Sequence, residues 1–316
     1  MLAIKYTTVT QLHPHISVLL REVVAALVQR PGGRFVDATA GGGGHTAALL
    51  QAAGPAATIL ALDADPYALA LARNRVADLP GSVELRRANF RDLAAVAAEA
   101  GFTEVDGIVM DLGISSMQLD VEERGFSFRD TGALEMTFDP DQPFTAAEVV
   151  NTTPENELAD ILYRYAEERA SRRIARAIVA ARPIRTPVQL AEVISRAVGG
   201  KRGKIHPATR SFQALRIYTN DELGALETAL PQAMSLLRPG GRLAVISFHS
   251  LEDRIVKDYF DRESKDCICP PEVLLCVCGH KATLRRVTRR AISPSDAEVE
   301  HNPRSRSAKL RVAERL

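Results

Sequence analysis

The sequence predicts a doubly wound α/β fold interrupted by an inserted helical domain, on three observations. Four short aliphatic or β-branched runs occupy the first 111 residues, Ala-rich segments of good helix propensity lie between them, and the next run of the same kind begins 130 residues after Asp111. The first strand is expected at 34–37 (RFVD) and the first helix at 46–53. A second strand follows at 58–63 (TILALD), and then a helix at 66–77 with Pro66 suited to its first turn. A third strand at 83–85, a helix at 92–100 and a fourth strand at 107–111 (GIVMD) complete the series. Such alternation is the signature of a parallel sheet with right-handed crossovers.

The fifth strand is expected at 241–248 (GRLAVISF), after a Pro239-Gly240-Gly241 turn. Ordinary crossovers are far shorter than the gap before it, so residues 120–207 read as an inserted helical domain. Within it one helix is expected over 157–181 and a second over 187–198. Residues 1–119 and 208–316 then form one domain around the insert. A helix at 251–260, a Cys-bearing loop and two late strands at 284–288 and 308–313 finish the chain.

With 316 residues, the chain has room for two domains. Hydrophobic residues at 46% and charged residues at 25% argue against disorder, collagen-like repeats and coiled coil. The uncharged stretch 39–62 is broken by five glycines and Pro55, so it is not a membrane span. Residues 1–17 lack a basic segment followed by an apolar one, which predicts a cytoplasmic protein without membrane attachment. Net charge is only +1, but residues 164–216 carry thirteen Lys and Arg against three Glu, and 281–316 carry ten against four. Residues 120–160 are acidic, with eleven against two. Separated basic blocks are either solvated helix faces or a nucleic-acid footprint.

The chemistry begins at Asp37-Ala-Thr-Ala-Gly41-Gly-Gly43-Gly44-His45, where the first strand meets the first helix. Four consecutive glycines cost too much chain entropy for a turn alone, and they let backbone approach a ligand closely. Thr46 stands where a dinucleotide fingerprint needs its third glycine, which weakens an NAD-type oxidoreductase reading. An acid four residues before Gly41 resembles instead the first motif of S-adenosylmethionine (SAM) methyltransferases. Asp63, ending the second strand, is placed to accept both ribose hydroxyls. Asp65 reads as a helix cap for Pro66. Asn89 and Phe90 suit the adenine, although Phe90 suits core packing equally. Asp111, ending the fourth strand, opens into the crevice beside the cofactor, and the chain lacks the acid-Pro-Pro-aromatic string usual in amino-methylating DNA enzymes.

The resemblance extends further. His15-Ile-Ser-Val-Leu19, the Gly41 to His45 loop, DLGISSMQLD from Asp111, RGFSFR from Arg124, HPATRSFQALRI from His206, ISFHSLEDRIVK from Ile246 and NPRSRSAKLRVAER from Asn302 together resemble the MraW family, across nearly the whole chain. The resemblance implies a Rossmann-like class I SAM-dependent methyltransferase that N4-methylates a cytidine in the decoding centre (P-site region) of 16S rRNA in the small ribosomal subunit. It implies SAM contacts at Gly43, Gly44, His45, Asp63, Phe90, Asp111 and Gln118, and it assigns substrate recognition to the insert at 120–207. Departures occur at Met117, where the family typically has Pro, and at 131–139, where Ala133 and Thr137 replace Pro and Arg.

The amine of cytosine is a poor nucleophile, so catalysis means placing it in line with the methyl and accepting hydrogen bonds from its N–H groups. Asp111 and the carbonyls of 111–115 are the candidates, and the base must be unpaired or flipped. Phe248 offers a stacking platform and His249 a proton acceptor, each balanced by an ordinary packing role. A rival reading is a non-catalytic RNA-binding factor. Cys267-x-Cys269 and, six residues on, Cys276-x-Cys278-Gly279-His280 admit either a tetrahedral zinc site or free thiols, the default for a cytosolic chain.

Overall fold

The computed structural model describes residues 17–115, 124–200, 206–273 and 275–316. Its centre is a seven-stranded sheet of β1 (Gly33–Asp37), β2 (Ala57–Asp63), β3 (Ser82–Arg87), β4 (Val105–Asp111), β5 (Leu237–Ser247), β6 (Leu284–Arg286) and β7 (Lys309–Arg315). The order is β3-β2-β1-β4-β5-β7-β6. β1 to β5 pair in parallel, and β7 runs antiparallel between β5 and β6. The doubly wound expectation therefore holds for five strands, and the two late strands make the sheet mixed.

Strand alternation explains why both faces are covered. Val36, Leu60, Leu62, Ile108, Met110, Leu243 and Val245 point to one core, where they meet α4 (Leu93–Glu99), α10 (Glu222–Leu236) and α11 (Ser250–Glu263). Their neighbours Phe35, Ile59, Ala61, Val109, Ala244 and Ile246 point to the other, against α1 (Leu20–Leu27), α2 (Gly44–Ala53) and α3 (Pro66–Val76). A parallel sheet buried on both faces reads as continuous apolar runs, which is why its central strands were legible. Pro66 at the first turn and the Asp65 cap start α3 as expected.

A third core belongs to the helical segment. It gathers Phe126, Leu134 and Met136 with α5 (Ala146–Thr152), α6 (Glu155–Ala166), α7 (Ser171–Ala180) and α8 (Pro187–Ala197), and it runs on to Phe212, Ala214 and Leu215 of α9 (Thr209–Asn220). The single helix expected over 157–181 is instead two. Glu167 takes a left-handed conformation (φ +50°), and the Glu168 carboxylate accepts the Ala170 amide at 2.8 Å, which turns the chain. The apolar periodicity survives the break because Leu158, Ile161 and Leu162 of α6 pack on the same core as Ile174 and Ile178 of α7. α8 begins with a capping box between Thr186 and Gln189. The last described helix is α12 (Asp296–His301). No helix among the described residues is long and apolar enough to cross a membrane.

At the end of the sheet away from the glycine loop, Asp106 accepts the Arg34 amide at 2.8 Å, Arg238 Nε at 2.7 Å and Arg30 Nη2 at 3.0 Å. It thereby ties together the starts of β1, β4 and β5. Burial alone would raise its pKa, but the Arg34 amide and the two guanidiniums outweigh it and hold the carboxyl below its usual range. A depressed acid contributes stability above its unfolded pKa and loses it as pH falls through the folded value. Asp106→Ala is expected to lower unfolding free energy at pH 7 by about 1 to 3 kcal/mol. In denaturant titrations the gap to wild type should close below about pH 4; a gap independent of pH would contradict the ionic account.

Candidate active site

Three adjacent strands, β2, β1 and β4, each end in an aspartate: Asp63, Asp37 and Asp111. The chain leaves β1 toward the α2 face, whereas α4, before β4, and α10, before β5, lie on the opposite face, so the order reverses between β1 and β4. A crevice at the carboxyl ends of the strands is the topological consequence. It is a cavity of about 350 Å³, lined by the loops that follow β1, β2, β3 and β4 together with Phe248, Glu252, Arg216, Asn302 and Arg304.

The glycine loop is built on two buried carboxylates. Asp37 is fully buried, accepting Thr46 Oγ1 at 2.6 Å and the Thr39 amide at 3.2 Å. Thr46, which argued against a dinucleotide fingerprint, is thus the partner that holds Asp37. Asp63 accepts the Gly41 amide at 2.8 Å on one oxygen and the Asp65 amide at 2.8 Å on the other. Burial pushes both acids up to about 6, against the hydrogen bonds that favour their ionised forms.

The glycines differ in their reasons. Gly41 has φ +50° and open space where a Cβ would point. Gly43, at φ +76°, caps α2, and a Cβ there would sit 2.9 Å from the Ala72 Cα; it is demanded by the packing of α3 and does not line the cavity. Gly44 lines it.

His45 is buried, with Nε2 3.1 Å from the Val18 carbonyl and Nδ1 3.6 Å from Asp111 Oδ2. Burial drops its pKa to about 4. The ring is therefore neutral near pH 7, donating from Nε2 and turning the Nδ1 lone pair toward Asp111. Burial, reinforced by the charges of Asp37 and Glu252, holds Asp111 well above the usual carboxylate range. Its Oδ1 is buried and has no hydrogen-bond partner among the described residues. An orphaned carboxylate oxygen facing a cavity is costly unless a ligand completes it.

Phe90 lines the cavity while packing against the α4 side of the core. Asn89 caps the short turn Phe90–Asp92 by accepting the Arg91 amide at 2.9 Å. Asp65 caps α3 and also receives Arg124 Nη1 at 2.8 Å. Gln118, with Ser116 and Met117, lies outside the described residues.

Opposite the glycine loop, Arg216 of α9 binds Glu222 of α10 through two hydrogen bonds of 2.6 and 2.8 Å, both side chains largely buried. Glu252 accepts the Phe248 amide at 2.8 Å and lies 3.1 Å from His249 Nε2. Burial would raise Glu252, yet His249 and Arg216 bring it below its ordinary value. His249 Nδ1 meets the Glu252 amide at the start of α11, so this histidine caps a helix and does not line the cavity. Phe248 does line it, beside Gly113, whose φ of +92° turns the chain after β4.

Arg216, Glu222, Glu252 and Phe138 were not singled out as site residues from the sequence. Three of them fall on helices, 105 or more residues beyond Asp111, where spacing carries no signal. Two of the three do sit inside the unusual strings that begin at His206 and Ile246. Arg172, Arg173 and Arg176 of the first basic block are exposed on α7.

Comparison with known proteins fits this geometry. The chain is 54% identical over 304 residues to a protein of Dehalococcoides mccartyi, covering 96% of this chain and 87% of that one. It is 52% identical over 305 residues to one of Thermomicrobium roseum, covering 96% and 94%, and 50% identical over 308 residues to one of Heliobacterium mobile, covering 96% and 99%. Each of these relatives is named ribosomal RNA small subunit methyltransferase H. The model of the MraW methylase family matches residues 12–316. With an acidic crevice at the switch point of a Rossmann-like sheet and a family match over nearly its full length, the chain belongs to the MraW methylase family.

Proposed function

We propose that the protein transfers a methyl group from SAM to the N4 amine of a cytidine in the decoding centre (P-site region) of 16S rRNA, acting in the cytoplasm on the small ribosomal subunit. The observation that carries this reading is Asp111, whose Oδ1 has no partner at the edge of a cavity that also presents Asp63. Residues 1–119 and 208–316 form the cofactor domain in this reading, and 120–207 the substrate domain, with the first half of α9 packed into the helical core.

The residues present fit SAM. The cavity is bordered by Asp63, Asp111 and Glu252 and by the Arg216–Glu222 pair and Arg304, with Asp37 behind; the three carboxyls at the strand ends are the part of this setting that favours a cation such as a sulfonium. Asp63 keeps a lone pair on each oxygen beyond its amide contacts, enough for two ribose hydroxyls. Phe90 borders the adenine, the backbone from Gly41 through Gly44 to His45 receives the methionine part, and Asp111 lies at the reacting end, where the family resemblance also assigns Gln118. Gly43 supports this loop from behind. Bound SAM supplies an electrophilic methyl group.

The chain's own work is to orient the amine. Asp111 and the carbonyls of 111–115 accept hydrogen bonds from its N–H groups as the nitrogen turns its lone pair toward the methyl, and the proton that the methylated nitrogen gives up passes to the ionised Asp111 carboxylate. A cation beside Asp111 favours the ionised carboxylate, which reverses the effect of burial. Phe248 gives the extruded base a surface to stack on, and Gly113, without a side chain, leaves that ring accessible. His249, engaged as a helix cap, takes no proton in this scheme.

Asp63→Ala is expected to weaken SAM binding at least tenfold, since charge-assisted hydrogen bonds contribute about 1.5 to 3 kcal/mol each. Because free Asp63 titrates at about 6 and ribose hydrogen bonds favour its ionised form, binding near pH 6 should release protons. The share of the affinity that Asp63 contributes should therefore fall as pH drops below about 6 and be flat above it. Calorimetry in two buffers of different ionisation enthalpy reads this directly, and an Asp63→Asn variant with undiminished proton release would place the ribose elsewhere.

Labelled SAM with isolated small subunits, followed by nucleoside mass spectrometry, tests the reaction itself. N4-methylcytidine is the expected product, and Asp111→Asn should reduce kcat by about 100-fold or more. A product methylated at another atom would refute the assignment.

Reversal of Arg172, Arg173 and Arg176 to Glu should lower RNA affinity and flatten its salt dependence while SAM affinity stays unchanged. Normal methylation by the triple variant at physiological salt would reduce α7 to a solvated face.

A further inference from the structure

We infer that Cys267, Cys269, Cys276 and Cys278 form a tetrathiolate site for a structural zinc ion. The segment from Ser264 to Thr283 joins α11 to β6 without a helix or strand of its own among the described residues, and none of those residues is buried. Loops of this length that lack internal structure need another source of order. Hydrogen bonds close its base, where the Thr283 amide donates to the Glu263 carbonyl at 2.9 Å and the Ala282 amide to Asp266 Oδ1 at 3.3 Å, and one backbone turn, Val273 amide to the Pro270 carbonyl at 3.0 Å, lies inside it among the described residues.

Beyond the base, the four thiols are what converge. Their Sγ atoms all lie within 4.8 Å of one another. Cys276 and Cys278 are 3.5 Å apart and Cys278 and Cys267 are 3.9 Å apart, far longer than a disulfide. Zinc–sulfur bonds of about 2.3 Å in a tetrahedron place sulfurs about 3.8 Å from one another, so the observed spacing suits a metal at the centre. Backbone amides point at the sulfurs, Ile268 N toward Cys278 at 3.5 Å and Cys269 N toward Cys267 at 3.4 Å. Gly279, at φ +63°, turns the chain immediately after the last cysteine.

Ligand chemistry selects the ion. Four soft thiolates in tetrahedral array suit zinc and leave no open position, which makes the site structural and not catalytic. His280 is not a fifth ligand, because its Nε2 is turned to within 4.0 Å of Glu263. On binding, four Zn–S bonds form while the thiol protons pass to the buffer, with no change of oxidation state. The metal then does for this loop what a core does for the rest of the molecule, fixing Ile268, Val273, Leu275 and Val277, all exposed, on a defined turn.

The full-length chain, purified without chelator and then incubated with zinc and desalted, should retain one zinc per chain by elemental analysis. Cobalt in its place should give the intense sulfur-to-metal charge-transfer absorption of a tetrahedral thiolate site. Removal of the metal should speed hydrogen exchange across 265–282 and leave the parallel strands protected. A Cys276→Ser/Cys278→Ser variant should lose the metal and keep wild-type SAM affinity. Four freely titratable thiols after zinc incubation, or an intact mass showing disulfides, would overturn the assignment. So would zinc that survives the double substitution.

Discussion

The hydrogen bond from the Gly41 amide to Asp63 joins the turn after β1 to the end of β2, and the arrangement of the site depends on it. Gly41 can make it because it adopts φ +50°, and Asp63 can receive it because its other oxygen is already held by the Asp65 amide. Together with Asp37, fixed by Thr39 and Thr46, it holds two carboxyls where burial raises both to about 6, so that each gives up its charge in mildly acidic solution. A molecule gains nothing in stability from three neighbouring strands that all end in aspartates whose ionised forms burial disfavours. That pattern is understandable as a place held ready for a ligand with hydroxyls and positive charge.

The helical segment is fastened to this centre by Arg124. Its guanidinium donates to Asp65 at 2.8 Å on the sheet side and to the carbonyls of Thr137 and Phe138 at 2.8 and 3.0 Å on the other. Asn220 completes the clamp by accepting the Phe138 amide and donating to the Met136 carbonyl, both at 2.7 Å. These bonds involve backbone atoms of 136–138, so they hold the stretch whichever side chains it carries. Phe138 is thereby brought to the cavity wall.

The zinc loop and the helical insert solve one problem in two ways. A chain segment outside the main sheet must find its own source of order, because local bonds alone do not offset the entropy of fixing it. The insert is long enough to bury Leu158, Leu162, Ile174 and Leu190 in a core of its own. The loop between α11 and β6 is too short for that, and sulfur–metal bonds substitute for apolar burial.

Much of this was legible in the sequence, for identifiable reasons. Strands buried on both faces are continuous apolar runs, and the residues that end them, Asp37, Asp63 and Asp111, fall at the open edge of a doubly wound sheet by topology alone. The glycine run declared its loop, whereas the Cys spacing left a zinc site and free thiols both open. What the sequence could not determine was anything decided by contact between distant segments. Whether Gly43 faces a ligand or the backbone of α3 depends on where Ala72 packs. Whether His249 is a base or a cap depends on the direction α11 leaves the sheet. The break at Glu167 is invisible to periodicity, since both halves present apolar residues to one core. The pairing of Arg216 with Glu222 and the neutrality of His45 likewise arise only when tertiary packing removes water from around them, because a charge's partner and its protonation state are properties of its surroundings and not of its place in the chain.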